Sequence, residues 1–364
     1  MAKIISVFNN KGGVGKTSLC WNIADTLGRK GKNVLLIDFD PQCNLSIAVL
    51  GDSTFVGALP TQNAPYGTTI RAFLQRFLQN TGGEEIFTHN GPHTHSNVDL
   101  IAGDFWLNIY ADSLNVGGDL LSGTGLSKYV VLKTIVGRAE QLKSKNYDFV
   151  IIDLPPSFGS LVRAAFCSSD YFIVPCTSDN FSVYCVGLIG QMIPGFVKDW
   201  QDGLTRFKLT NPHFNDFDLL GKPTFAGWVF NGFDTAKERR TNAEIQAGVP
   251  QKDKKMMQAD ETFHTSLQQA IDNDLVQKLN SEITSYSPTA AGIQSVNKIG
   301  DIEDANVLIQ NSLWLNVPLG QLHNFRQVKS LNNRTNWAQN QVDQIALLRQ
   351  KMEELADNII RTCV

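Results

Sequence analysis

A glycine-rich stretch between an apolar run and an amphipathic run constrains this chain more than any other feature. Residues 3–8 read K-I-I-S-V-F, the pattern of a buried strand. Residues 9–18 read N-N-K-G-G-V-G-K-T-S, and Leu19, Ile23 and Leu27 then recur every four positions as one stripe of a helix. Strand, glycine loop and helix in succession are the setting of a phosphate-binding loop. Gly12, Gly13 and Gly15 let the backbone N–H groups of this loop, from Val14 to Thr17 and Ser18, converge on phosphate oxygens without Cβ clashes. The helix N-terminus adds free N–H groups and partial positive charge. In this pattern Lys16 reaches the β- and γ-phosphates of a nucleotide, and the Thr17 hydroxyl ligates Mg²⁺.

The bulk properties narrow the setting. A length of 364 residues allows one large α/β domain or two smaller ones. With 42% hydrophobic and 18% charged residues the chain is too apolar for disorder. A net charge of −3 does not advertise nucleic-acid binding, although a local basic face depends on distribution as well as sum. No run of about 18 apolar residues is evident, and the N-terminus enters a strand-like run directly instead of a signal peptide. Cys20, Cys43, Cys167, Cys176, Cys185 and Cys363 form no C-x-x-C pair, so the expectation is idle thiols in a reducing cytoplasm.

Two further apolar runs end in carboxylates. Residues 34–37 read V-L-L-I and lead into Asp38-Phe39-Asp40-Pro41-Gln42. Strand alternation sends Asp38 and Asp40 to the same side, at the carboxyl end where open α/β sheets bind ligands. Residues 147–153 read Y-D-F-V-I-I-D, a Walker B strand in which Asp153 holds Mg²⁺ through water.

The loop departs from the common G-x-x-x-x-G-K-[ST] pattern: Asn10 stands at the first glycine position, and Lys11 follows it. K-G-G-V-G-K-T, D-x-D-P-Q at residues 38–42, D-L-P-P at 153–156 and the V-P ending at 174–175 together resemble the ParA/MinD family of two-lysine P-loop ATPases. The resemblance implies a doubly wound, mostly parallel α/β sheet flanked by helices. It implies ATP and Mg²⁺ as cofactors and an ATP-dependent homodimer in which Lys11 reaches the partner's nucleotide. Asp40 then positions or activates the attacking water, and Asp38 supports the phosphate–Mg²⁺ shell. It also implies that Asn231, at the end of the run F-A-G-W-V-F-N, recognises adenine. Residues 314–319, W-L-N-V-P-L, resemble the last sheet strand, and Pro318 and its loop border the base.

The resemblance covers residues 1–48, 98–233 and 300–360, so the whole chain reads as a single P-loop ATPase domain with inserted segments at 51–97 and 234–291. Residues 71–78 look helical. A second helix is marked by Phe263, Leu267, Ile271, Leu275 and Leu279. A last helix spans 337–360; its acidic residues suit an anionic membrane poorly, so it is expected to pack on the domain. Basic residues Lys237, Arg239, Arg240, Lys252, Lys254 and Lys255, with Arg326, Lys329 and Arg334, fall in the general region where the family binds DNA nonspecifically. The leading expectation is a positioning or partitioning ATPase, cytoplasmic and nucleoid-associated, whose hydrolysis is stimulated by a ParB-like or other activating protein. The alternatives are a MinD-like or regulatory switch acting through a protein partner or membrane surface, and a metabolic ligase on the same fold. Lys11 argues against the ligase.

Overall fold

The computed structural model describes residues 2–237, 254–283, 297–328 and 335–364, with residue 247 and residues 289–290 besides. Its strands are β1 (Lys3–Val7), β2 (Val34–Asp38), the edge strand β3 (Val98–Ile101), β4 (Phe149–Asp153), β5 (Tyr171–Cys176) and β6 (Thr224–Phe233), the inner ones made by largely apolar runs. A short antiparallel ribbon, β7 (Thr235–Lys237) with β8 (Lys254–Met256), precedes β9 (Lys298–Glu303). The main sheet has seven strands in the order β3-β2-β4-β1-β5-β6-β9, and each pairing is parallel. This is a doubly wound α/β sheet flanked by helices, the fold the sequence implied.

Parallel strands need cover on both faces, which is why these runs are apolar throughout instead of alternating. Ile5, Leu36 and Ile151 bury against one set of helices, including Lys16–Arg29 and Gln339–Thr362. Ile4, Leu35 and Val150 bury on the other face, with Val131–Lys143, Ser160–Ser168 and Asn180–Thr210. The helices that leave β1 and β4 thus pass to opposite faces. Between two such neighbouring strands a crevice opens at the carboxyl edge.

The helix Asn180–Thr210 is long and apolar enough to cross a membrane by length and composition, with a mean hydropathy of 1.3. Half of that window is buried inside the protein, where Val186, Ile189, Ile193 and Trp200 join the core. Within residues 51–97, Arg71–Gln79 is helical and puts Phe73 and Leu74 into the same core. Leu267, Ile271, Leu275 and Leu279 form a buried stripe on successive helical segments covering 258–282.

The C-terminal part of the sheet corrects one expectation. Residues 314–319 are not a strand: Asn306–Leu315 is a helix, Asn316 turns at φ 55°, and Leu319–Asn324 is a 3₁₀ turn. The last strand among the described residues is β9, at the sheet edge, where a mixed sequence is tolerated because only Ile299 and Ile302 are buried. The side chain of Lys237 and residues Arg239, Arg240, Lys252, Lys329 and Arg334 lie outside the described residues.

Candidate functional site

β1 delivers the chain to the carboxyl edge of the sheet, where Asn9 pins its exit. Asn9 is buried; its Nδ2 donates to the Pro175 carbonyl (2.7 Å) and its Oδ1 accepts from the Lys11 backbone N–H (2.9 Å). Gly13 and Gly15 follow with φ of 77° and 81°, left-handed values that cost a side chain about 1–2 kcal/mol. A Cβ on Gly15 would also lie 2.4 Å from Asn231 Nδ2. Gly15 precedes the helix Lys16–Arg29, which has no side-chain cap and no acidic residue in its first turn. Its leading N–H groups and the positive end of its dipole are thereby left for an anion.

Lys16 lies buried under this loop, with Nζ donating to the carbonyls of Asn9 and Lys11, both at 3.0 Å. Burial lowers the pKa of its ammonium, while the charges of Asp153 and Asp40 pull it back up. Above the loop lies a cavity of about 590 Å³. Gly12, Gly13, Gly15, Lys16, Thr17, Ser18 and Asp40 line one side of it, and Ile309 and Leu313 supply apolar surface.

The strand register aligns Val7 with Asp153 and Asp153 with Asp38, so two carboxylates meet at the edge of the sheet. Both are buried, and burial raises the pKa of each, with a neighbouring carboxylate adding to the shift. Thr17 works the other way on Asp153. Asp153 Oδ2 nonetheless has no partner at hydrogen-bond geometry, and the Cys20 thiol lies 3.7 Å from Oδ1. An orphaned buried carboxylate oxygen beside the Thr17 hydroxyl fits a hard divalent cation. Among the described residues no group of three or more His, Cys, Asp or Glu could hold a metal alone. A cation here therefore needs nucleotide oxygens and water to complete its shell.

Asp38 is held by the turn that follows it. Its Oδ2 accepts from the Ser46 N–H (2.8 Å) and hydroxyl (2.6 Å), and its Oδ1 from Asp40 N–H (3.3 Å). These bonds occupy both oxygens, so Asp38 braces the turn that carries Asp40, and it is not among the residues that line the cavity. Asp40 itself does line it, with Oδ1 accepting from Gln42 N–H (2.9 Å). Burial raises the Asp40 pKa as well.

Lys11 is not among the residues lining this cavity. Its Nζ donates to Thr177 Oγ1 (2.7 Å) and Ser182 Oγ (3.3 Å) and forms an ion pair with Asp179. Asp179 also caps the helix Asn180–Thr210 by accepting from Ser182 N–H (2.9 Å). The sequence reading missed these three partners, although T-S-D ahead of a helix is an N-cap signature that marks them. Asn231 donates from Nδ2 to the Val14 carbonyl (2.8 Å). It lines a smaller cavity of about 120 Å³ together with Gly13, Gly15, Asp304 and Ala305. Pro318 is not among the residues lining either cavity: it starts the 3₁₀ turn, while Leu319 N–H donates to Asn22 Oδ1 (2.8 Å).

A family profile described as "AAA domain" matches residues 2–205, more than half of the chain, and takes in the loop, Asp40, Asp153 and the Lys11 partners. The chain belongs to the ParA/MinD family of ATPases. It is similar to the sporulation initiation inhibitor protein Soj of Bacillus subtilis, 30% identical over 183 residues, which are 50% of this chain and 61% of Soj. It is also similar to a ParA family protein of Chlamydia pneumoniae, 30% identical over 194 residues, 53% of this chain and 66% of that protein. The matched region thus spans less than two thirds of these relatives' own length. Among solved structures, an ATP complex of a Cyanothece McdA variant shares the fold at a TM-score of 0.57 and 16% identity, covering 98% of this chain and 96% of that one.

Proposed function

We propose that this chain binds ATP with Mg²⁺, closes with a second copy into a nucleotide-sandwich dimer, and hydrolyses ATP slowly until a partner accelerates it. The observation that carries this reading is the division of labour between two lysines on one loop. Lys16 Nζ lies beneath the loop, in reach of phosphates held by the N–H groups of Gly12 to Ser18. Lys11 is not among the residues lining the cavity above the loop, and its Nζ is held in its own chain by Asp179, Thr177 and Ser182. A second ammonium outside its own cavity suits delivery to another molecule, a device of the arginine-finger kind. Mg²⁺, when bound between Thr17, Asp153 and the nucleotide, supplies charge neutralisation at the phosphates. Asp40 lines the cavity together with Lys16 and holds the water that attacks; Asp38 fixes the turn that aims it.

On this reading the whole chain acts as one P-loop unit, and segments 51–97 and 234–291 carry what is particular to it. The ATP-bound dimer rides nonspecific DNA, and a ParB-like or other activating protein triggers hydrolysis and release, so that DNA or another cargo is partitioned or positioned. Asn231, beside the smaller cavity, contacts the base.

Lys16→Ala is expected to weaken binding of a fluorescent ATP analogue by about 100-fold, since a charge-assisted contact to phosphate contributes about 1.5–3 kcal/mol. Asp40→Ala is expected to keep binding, lose hydrolysis and accumulate an ATP-bound dimer on size-exclusion chromatography. Tight binding retained by Lys16→Ala overturns the site.

A further inference from the structure

Thr177, Ser178 and Asp179 are consecutive, yet their side chains serve two different parts of the molecule. Thr177 and Asp179 hold Lys11. Ser178, between them, donates its hydroxyl to Asp260 Oδ1. Asp260 lies in the first turn of the helix Gln258–Ala270, beyond β6 and outside the family-matched residues. A carboxylate in a first turn ordinarily folds back onto its own helix's free N–H groups. That helix has no side-chain cap, and both Asp260 oxygens reach outward instead: Oδ1 to Ser178 and Oδ2 to the Asp234 N–H at 3.0 Å.

The anchorage of this helix is firm. Met257 N–H donates to the Asp234 carbonyl (3.0 Å), which ties the helix start to the end of β6. Further along, Leu267, Ile271 and Leu275 are buried in the core that also takes Val186 and Ile189 of the helix Asn180–Thr210. The two helical segments approach closely: a Cβ on Gly190 would lie 1.8 Å from the Asp274 carbonyl oxygen. The loop that grips Lys11 is therefore bonded on its other side to a segment that moves, if it moves, as a packed body.

We infer that Asp260 is a positioning residue for Lys11: through Ser178 it fixes the loop 177–179 and so sets how firmly Lys11 is kept in its own chain. This rests on the reading that Lys11 acts across the dimer. Any ligand or protein that shifts the segment beyond β6 acts, by this route, on the release of Lys11. The physical logic is a population shift between held and released lysine, governed by one hydrogen bond outside the nucleotide site.

The test uses the full chain with Asp260→Ala and Ser178→Ala, which break the same bond from opposite ends. The direct readout is the rate at which the Lys11 amine of the nucleotide-free protein is acetylated by a limiting reagent. It is followed by mass spectrometry with Lys128, paired with Asp119 elsewhere, as internal control. Both variants are expected to speed Lys11 labelling about tenfold or more with Lys128 unchanged, the scale of one lost charge-assisted hydrogen bond. Both are also expected to tighten the ATP-dependent dimer by a similar factor at unchanged monomer affinity for ATP. Unchanged Lys11 labelling in either variant overturns the inference, and so does faster labelling with an unchanged or weaker dimer. Lys11→Ala in the otherwise unaltered chain separates the two readings. If it leaves dimerisation and hydrolysis intact, the action of Lys11 across the dimer fails, and the labelling result still decides whether Asp260 holds the loop.

Discussion

Lys11 and Lys16 share one loop, and their ammonium groups face opposite settings. Lys16 is in a buried position where desolvation dominates, whereas Lys11 meets a carboxylate whose own pKa is held below the ordinary range. Burial alone would raise that Asp179 carboxyl; bonds from Lys11, Ser182 and Thr177 outweigh it. A simpler pair tests the same balance away from the site. Asp99, buried on β3, accepts from Lys145 Nζ (3.0 Å) and the Tyr147 hydroxyl (3.0 Å), and Lys143 Nζ lies 3.2 Å away. Burial pushes its carboxyl up, but the two ammonium groups outweigh burial and hold it below the usual range. A carboxylate depressed in the folded state stabilises the fold above its unfolded pKa of about 3.9, and that contribution fades as pH falls through the lower folded value. Asp99→Asn is therefore expected to lower Tm at pH 7 by about 2 °C or more, with the difference shrinking toward zero as pH drops through 4 and below. Thermal scans across pH check this; a Tm deficit that stays constant down to pH 3 removes the charge from the explanation.

At the scale of elements, legibility followed burial. β1, β2, β4, β5 and β6 were readable because central parallel strands are covered on both faces and so are apolar end to end. β9 was not, because K-I-G-D-I-E sits at the sheet edge with only Ile299 and Ile302 buried. Residues 314–319, W-L-N-V-P-L, resembled a strand, while Trp314 and Leu315 end the helix Asn306–Leu315 that helps wall the cavity and the rest form the turn after it. The site divides in the same way. Gly12 to Ser18, Asp40 and Asp153 stand in short local patterns, and the structure gathers them. The grip on Lys11 joins residues 166 to 171 positions apart, and no local spacing encodes it. Two glycines of one helix give this scale its prediction. In Asn180–Thr210, a Cβ on Gly190 meets the Asp274 carbonyl oxygen, whereas one on Gly187 meets nothing within 4 Å. Gly190→Ala should force the packed helices apart at a cost of about 1–3 kcal/mol. Gly187→Ala should be neutral or stabilise by up to about 1 kcal/mol through helix propensity. Urea midpoints at constant m-value measure both, and equal midpoints for the two variants contradict the close crossing.

For the whole molecule, charge decides what kind of matrix the proposed ATP-bound dimer would ride. The chain carries a net charge of −3, so attraction to DNA has to come from a local cluster of cations. In the general region where the sequence placed such a cluster, Lys254 is engaged by Glu303 at 3.3 Å, while Lys255 and Arg326 are exposed. One copy of a local cluster on a chain of net negative charge binds a polyanion weakly. A sandwich dimer changes the arithmetic by setting two copies of the same face on one assembly, since the affinity grows with each phosphate neutralised. Binding to random duplex DNA is therefore expected with a non-hydrolysable ATP analogue and absent with ADP. Its affinity should fall with salt at a log–log slope of about −0.9 per phosphate contacted, so that about six contacts lose roughly 10³ between 50 and 200 mM. Lys11→Ala should abolish this binding while leaving the monomer's nucleotide affinity in place, because it removes the dimer and not the cavity. Equal binding in both nucleotide states would mean that DNA contacts the monomer directly, which uncouples the matrix from the dimer. No binding in either state would turn the ATP signal toward a protein partner, and the segment that carries Asp260 would then be the first surface on which to map it.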